Sequence, residues 1–478
     1  MRVRIFVAIS MIDHRPFLNF LPESRVLSRE ADRLVYDADG VTLEKFRPSL
    51  VLLAETADEI EKIVEHCHCH AIPFVTRGAG TGLSGGALAC GESVMIVTAG
   101  LEKILEVNAD ERWALVESGV INEKLSKECK KFGLHFAPDP SSGSASTIGG
   151  NIAENAGGPH CLKYGATAEH ILGLEVILTD GRKIWLDVND ESAPILSLMI
   201  GSEGTLGIIT KAKVKLTPSP ESVKTLLIDF PTVRDASETV SEIIGSGIVP
   251  AALEMIDAEV LDALEAAFKL GFPTDAGALL IIELDGRKHS LERLASQVIE
   301  IAKRHNSRTV RVAADDKERN ALWQARKKAF GALGRVSASY YTQDGVIPRY
   351  ALPEVLEGIS AIGKKHGLRI ANIFHAGDGN LHPAILYNEK DPQSVKAVLA
   401  ASKDILRLCL AKNGSITGEH GVGIEKKEAL AWMFGEMDIA IMARLRNVFN
   451  GNGMLNPGKF LPTDHPCLEA GHKHRLVQ

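Results

Sequence analysis

The chain has 478 residues, 45% of them hydrophobic, and its 54 Lys plus Arg against 61 Asp plus Glu leave a formal charge of −7. That is enough apolar material for a large core shared among about three domains, and the mild acidity excludes the basic face that a nucleic-acid partner requires. Seven scattered cysteines supply neither a disulfide framework nor iron–sulfur spacing, which indicates a reducing, cytoplasmic setting.

Residues 1–47 read as an N-terminal segment. Its apolar stretch Ile5 to Ile12 is short and runs into Asp13-His14-Arg15-Pro16 without a small-residue cleavage site, so it is not expected to be a signal peptide. No run of about twenty apolar residues offers a membrane span, and any membrane contact would come through a partner. From Pro48 an extended piece, Leu50 to Ala54, leads to a helix start at Thr56, after which Ile60, Ile63, Val64 and Cys67 share one face. Cys67 and Cys69, in E-H-C-H-C-H, read as a helix end rather than a zinc site.

A strand-like run, Ile72 to Thr76, then enters R-G-A-G-T-G-L-S-G-G. Five glycines in these ten residues let the backbone turn with positive φ and expose bare N–H groups, as a phosphate cradle does. The cradle comprises Arg77, Gly78, Ala79, Gly80, Thr81, Gly82, Ser84, Gly85 and Gly86. Gly80, Gly82 and Gly85 even spell G-x-G-x-x-G. However, the next element is another apolar strand, Val94 to Thr98, and a dinucleotide fingerprint must open a helix, so the nicotinamide reading falls.

Strands are expected at Ile104 to Val107 and Trp113 to Glu117, and a charged helix at Asn122 to Lys131. A second cluster, P-D-P-S-S-G-S-A-S-T-I-G-G-N-I-A-E-N-A-G-G, follows from Pro138 to Gly158. Asp139, Ser144, Thr147, Asn151 and Asn155 provide short polar groups there, while Gly149, Gly150, Gly157 and Gly158 permit close backbone approach. Leu172 to Leu178 and Lys183 to Leu186, joined through Asp180-Gly181, signal a hairpin with a type I′ turn. A third small-residue piece, G-S-E-G-T-L-G with Gly204 at its centre, precedes the apolar run at Ile208. Lys211, Lys213 and Lys215 alternate with Ala212, Val214 and Leu216 in a strand with one wet face. Three such segments imply an extended ligand with a diphosphate and a flat ring.

Pro218 and Pro220 mark a domain boundary. Beyond it, strands at Lys224 to Phe230 and Leu279 to Leu284 alternate with helices at Ala236 to Gly245, Leu291 to His305 and Pro353 to His366, an α+β pattern with an antiparallel sheet. Phe374 to Pro383 reads F-H-A-G-D-G-N-L-H-P. With Asp378-Gly379 at the centre of a hairpin turn, His375 would lie directly opposite His382, ~4.5–5.5 Å away between Cβ atoms, close enough for one cation. An exposed histidine pair flanking a turn is the alternative. N-G-S-I-T-G-E-H-G-V-G then offers Glu419 and His420 between glycines. Two imidazoles with one carboxylate are the usual donor set of a catalytic divalent ion.

These motifs, in this order through residue 460, resemble the vanillyl-alcohol-oxidase-like (PCMH-type) flavoproteins. The likeness is to the branch holding D-lactate dehydrogenases, D-2-hydroxyglutarate dehydrogenases and the flavin subunit of glycolate oxidase. The resemblance implies an α+β fold: a two-subdomain FAD-binding domain at 48–218, a substrate-binding cap with antiparallel sheet at 219–412, a helical segment returning to the flavin at 413–460, and a loosely ordered tail at 461–478. It implies FAD held by the three glycine-rich segments and by Asn456. Because Thr81, and no histidine, stands in the first loop, the FAD is expected to be non-covalent.

The resemblance further makes His375, His382 and Glu419 ligands of a divalent metal, Zn or Mn, and His420 the base. Arg326, in W-Q-A-R, becomes the clamp for the substrate carboxylate, with Arg349 a second candidate. Relatives acting on a dicarboxylate carry an asparagine where this chain has Pro383-Ala384, which favours a small 2-hydroxy acid such as D-lactate or glycolate. Electrons would pass to a separate acceptor, either an iron–sulfur subunit, an electron-transfer flavoprotein or a quinone. A homodimer, a D-2-hydroxyglutarate dehydrogenase and a non-catalytic flavin subunit of a larger oxidase complex all stay open at this point.

Overall fold

The computed structural model describes residues 12–462 apart from positions 42 and 270. The N-terminal apolar stretch up to residue 11 and the tail from 463 lie outside the described residues.

Leu50–Leu53, Val94–Val97 and Phe74–Arg77 form a parallel trio, with Val26–Leu27 antiparallel at its edge. Their unbroken apolar composition follows from cover on both faces. Leu50, Leu52, Val94 and Ile96 pack on Ile60, Ile63, Val64 and Cys67 of helix Ala57–Cys69, while Val51, Met95 and Val97 pack with Ala89 on the other side. Thr56 caps that helix by accepting the Glu59 N–H. Phe74–Arg77 connects to Val94–Val97 with no intervening helix, as the sequence requires of a loop that is not a dinucleotide fingerprint.

A second, antiparallel sheet orders Ile104–Asn108, Trp113–Glu117, Ile208–Lys215, Ile171–Ile177 and Lys183–Asp187. Ala212 and Val214 are buried between more exposed lysines, as their alternation demands. The hairpin between Ile171–Ile177 and Lys183–Asp187 is present, but its turn is not type I′. Only Gly181 has a positive φ, of 89°. The Gly181 N–H donates to the Leu178 carbonyl, and the Asp180 carboxylate accepts from the Arg182 N–H. A left-handed glycine after a turn with negative φ matches the strand twist without bringing Asp180 to positive φ.

The second half of the chain builds a nine-stranded sheet whose pairings are all antiparallel. The two-residue side-chain period splits its strands cleanly. Leu226, Ile228 and Phe230 meet helices Val233–Gly245, Lys288–Arg304 and Leu352–His366 on one face. Leu227, Ile256, Leu279 and Ile281 meet Ala258–Phe268 and Asp316–Val336 on the other. The fold is therefore α+β with helices on both faces of the large sheet.

The two halves are clamped by charge. His160, which follows the second glycine-rich segment, bonds Asp139 at 2.7 Å through Nδ1 and Glu283 of the large sheet at 3.2 Å through Nε2. Its ring stacks on Trp323 at 5.8 Å. Glu283 is buried and also accepts from Thr225, Arg319 and Trp323. Burial disfavours the charged imidazole, but Asp139 and Glu283 overcome it and raise His160 to about 10. A raised value stabilises the fold fully below the unfolded histidine value of ~6.5, and that stabilisation disappears as pH rises through about 10. Thermal melts should therefore show His160→Gln less stable than wild type at pH 6, with the gap closing towards pH 10.

Candidate functional site

The three glycine-rich segments, far apart in sequence, converge on one cavity of about 470 Å³. Gly78, Ala79, Gly80, Thr81, Gly82 and Gly86 form its first wall, and Thr147, Gly149, Gly150 and Asn151 the second. Gly204, Ile208 and Asn456 close the third side. Asn456 is brought there because Phe74 pairs with the chain at Leu455 and Asn456. Its amide donates to the carbonyls of Glu203 and Gly204. Glycine is required where walls touch: a Cβ on Gly78 would lie 2.4 Å from Thr147 Oγ1, a hydroxyl that already caps the helix Ile148–Glu154.

Several expected lining residues instead support the wall from behind. Arg77 is buried and donates to the Ala38 carbonyl beneath the loop. The Ser84 carbonyl accepts from Ile424 and Glu425, and Gly85 abuts Ile424. The Pro138 carbonyl accepts from Asn122, Asp139 bonds His160, and Ser144 is exposed to solvent. Asn155 takes the left-handed position that ends its helix, with φ of 52°. A Cβ on Gly158 would meet the Asp139 carbonyl at 2.5 Å, and one on Gly157 the Glu419 carboxylate at 2.7 Å. These glycines allow close packing and do not line the cavity. Arg349 donates to the Gly377 carbonyl and does not line the cavity.

At the far end the cavity is lined by Arg326, His382, Glu419 and His420. His375 Nε2 and His382 Nε2 approach Glu419 Oε1 at 3.2 and 3.0 Å, and one ligand atom from each of the three lies within 4.8 Å of the others. The strand register differs from the expected one, because His375 pairs with Asn380, not His382. Four residues, Ala376 to Gly379, make the loop, and the Gly379 N–H donates to the His375 carbonyl. The slip is of two residues in total, which keeps both histidines on one face. They meet diagonally, with ring centroids 5.1 Å apart.

Two buried carboxylates that the sequence did not single out hold this cluster. Glu254 accepts from His375 Nδ1 at 2.6 Å and Arg326 Nε at 2.5 Å, fixing a ring and a guanidinium together. Asp344 accepts backbone N–H groups from Gly418, Glu419 and His420, the Thr417 hydroxyl and the Lys426 ammonium. The only sequence sign of Asp344 is its place in Q-D-G before an Ile-Pro. Glu254 lies inside an apolar strand, where a charge is costly unless paired.

The electrostatics follow. Burial would raise Glu419, but hydrogen bonds and charge from His375 and His382 hold it well below the usual carboxylate range. Burial would lower His375, but Glu254 and Glu419 raise it well above the ordinary histidine range, and a metal cation bound there would displace that proton. Burial pushes His420 down to about 4, aided by His382 and Lys426 against Asp344. Its ring stacks on His382 at 5.0 Å and is neutral at pH 7.

Polar atoms without partners trace the same path. Thr76 Oγ1, Ser146 Oγ and Asn151 Nδ2 along the cavity, and His382 Nδ1 and His420 Nδ1 at its end, are buried with no hydrogen bond. Each such group costs ~1–3 kcal/mol, so the chamber fits a polar ligand along its length and a cation at its end.

Residues 48–187 match the family model of an FAD binding domain, and residues 219–460 that of the C-terminal domain of FAD linked oxidases. The chain belongs to the FAD-linked oxidase family. Glycolate oxidase subunit GlcD of Escherichia coli K12 is 41% identical to this FAD-linked oxidase over 98% of this chain and 94% of its own length. The D-lactate dehydrogenase of Anaerostipes hadrus is 33% identical over 87% of this chain and 90% of its own. The fold is shared with p-cresol methylhydroxylase, at a TM-score of 0.79 and 16% identity over 94% of this chain and 96% of that one. The chain is thus a flavoprotein oxidoreductase with FAD as cofactor.

Because Gly78 and Thr147 touch, Gly78→Ala should overpack the FAD-linked oxidase's first wall by ~1–3 kcal/mol. Titration with FAD, followed by flavin fluorescence, should show affinity reduced roughly tenfold while cooperative unfolding persists.

Proposed function

We propose that this FAD-linked oxidase converts a small D-2-hydroxy acid, D-lactate or glycolate, to the 2-oxo acid. The observation that carries the reading is the single cavity running from the glycine-rich loops to His382, Glu419 and His420, with His375 clustered against the first two. A flavin-carrying subunit without catalysis has no use for a neutral histidine beside a cation-ready cluster at the end of its cofactor cavity. When bound, FAD supplies the acceptor for two electrons and the Cα hydrogen, and a divalent cation, Zn or Mn, supplies a Lewis acid for the substrate oxygens.

The chain's own residues do the rest. Arg326 lines the cavity with its Nε fixed by Glu254, so the remaining fork is oriented for a carboxylate. His420, neutral and held by its backbone N–H on Asp344, takes the hydroxyl proton. His375, His382 and Glu419 hold the metal. Pro383 and Ala384 are buried strand residues paired with Asn372, Ala371 and Thr342, and they offer no polar side chain for a second carboxylate. That supports a monocarboxylate over 2-hydroxyglutarate.

FAD is held without a covalent bond, since Thr81 occupies the first wall. The FAD-binding domain spans 48–218 and the cap 219–412, and 413–460 returns to the flavin through Asn456. Reduced flavin passes electrons to a separate protein, an iron–sulfur subunit in the first instance, a reading supported by the word subunit in the name of the 41%-identical relative. No helix among the described residues is long and apolar enough to cross a membrane, which suits a cytoplasmic enzyme docked to such a partner.

Anaerobic bleaching of the flavin should occur with D-lactate or glycolate and not with D-2-hydroxyglutarate or L-lactate; bleaching by none of them would end the proposal. Chelator treatment or His382→Ala should lower turnover at least ~100-fold with FAD still bound. Arg326→Lys, which keeps charge but not the fork, should raise KM for the hydroxy acid by roughly tenfold or more, read from initial rates.

A further inference from the structure

Two carboxylates that the reaction above does not use face one backbone turn in the FAD cavity. Glu154 ends the helix Ile148–Glu154, and Glu203 sits in the third glycine-rich segment with a left-handed φ of 53°. Both line the cavity. A Cβ on Gly421 would come within 2.4 Å of Glu154 Oε2 and 3.0 Å of Glu203 Oε1, so the two side chains crowd a single glycine directly after His420. On its other side Glu154 reaches the end of the first loop, where a Cβ on Gly86 would meet its Oε1 at 2.9 Å. Glu154 therefore spans the gap between cofactor loop and catalytic turn.

The pair is unequally served. Burial raises Glu203 as well, but the backbone N–H groups of Val422 at 2.7 Å and Gly423 at 2.6 Å, with Lys426 and Lys459 nearby, favour its charged form. Glu154 Oε2 is buried and has no partner. Carboxylates this close resist double ionisation, and the proton belongs on the one without donors. Burial and the charge of Glu203 raise Glu154 well above the ordinary range, opposed by Lys459 and Lys426 and helped by Asp39. The Lys459 ammonium donates to the Gly86 carbonyl and Lys426 to Asp344, so neither cation is bonded to Glu154.

We propose that Glu154 presents a neutral carboxylic acid to FAD bound in this cavity and donates a hydrogen bond to it, with Glu203 as the fixed anion that keeps the proton in place. A neutral acid satisfies an acceptor on the cofactor without opposing the negative charge that two-electron reduction brings into a dry site; a carboxylate there would oppose it. Glu154 thus favours the reduced flavin, and Glu203 acts through it. This rests on FAD binding alone, not on which hydroxy acid is oxidised, so failure of the substrate assignment leaves it standing.

The test uses FAD-loaded full-length protein without substrate, in three measurements. Infrared difference spectra on flavin reduction should contain a protonated carboxylic C=O band at pH 7 that vanishes in Glu154→Gln. Because glutamine is a neutral donor, Glu154→Gln should keep the FAD dissociation constant within about threefold and leave the flavin midpoint potential near that of wild type, while Glu154→Ala should weaken FAD roughly tenfold and lower the potential. Absence of the band in wild type overturns the proposal even if the alanine variant misfolds. A Glu154→Gln potential shifted upward, as removal of a negative charge would give, overturns it as well.

Discussion

The turn that carries Glu419 and His420 keeps its shape because one buried carboxylate collects its N–H groups. Glycine-flanked Glu419 and His420 have no regular secondary structure to hold them, and N-G-S-I-T-G-E-H-G-V-G would be free to sample many conformations. Asp344 removes that freedom by accepting from three successive backbone N–H groups and from Lys426. Burial of such a carboxylate is costly alone. Lys426, itself fully buried, and the nearby histidines hold it well below the usual carboxylate range despite that cost. The metal-ready carboxylate and the neutral histidine are placed by the same anion.

A similar economy links the large sheet to the cavity. Glu254 belongs to strand Ala252–Asp257, which pairs with Arg369–His375 so that Glu254 lies opposite His375. Strand register thus sets a hydrogen bond, the hydrogen bond sets the ring's tilt, and the second oxygen of Glu254 orients Arg326 from the helix behind. Antiparallel sheets give this coupling readily, since every opposed pair fixes a side-chain neighbour.

What the sequence made legible was local and periodic. Ile60, Ile63, Val64 and Cys67 announced a helix face, Lys211 to Lys215 a half-wet strand, and the glycine clusters a surface against which something polar lies. Glycine, however, signals only that space is short, not what fills it. For Gly78 a cofactor wall lies beyond, whereas Gly85 and Gly158 are small because Ile424 and the Asp139 carbonyl are there. The turns at Asp180-Gly181 and Asp378-Gly379 illustrate the same limit. Asp-Gly marks a bend, but loop length and strand twist decide its type and register. Glu254, Asp344 and Glu203 were invisible for another reason: each acts on partners 72 to 220 residues away, and no local pattern encodes such distances.

The bridge from Phe74 to Leu455 carries a consequence for how the molecule is made. The first glycine loop and Asn456 lie some 380 residues apart in the chain, yet Asn456 completes the chamber wall by bonding Glu203, Gly204 and Thr76. Without that stretch the third side of the cavity, where Asn456 joins Gly204 and Ile208, lacks one of its residues. The full set of walls a cofactor would meet is therefore assembled only when the stretch carrying Asn456 has docked along Phe74.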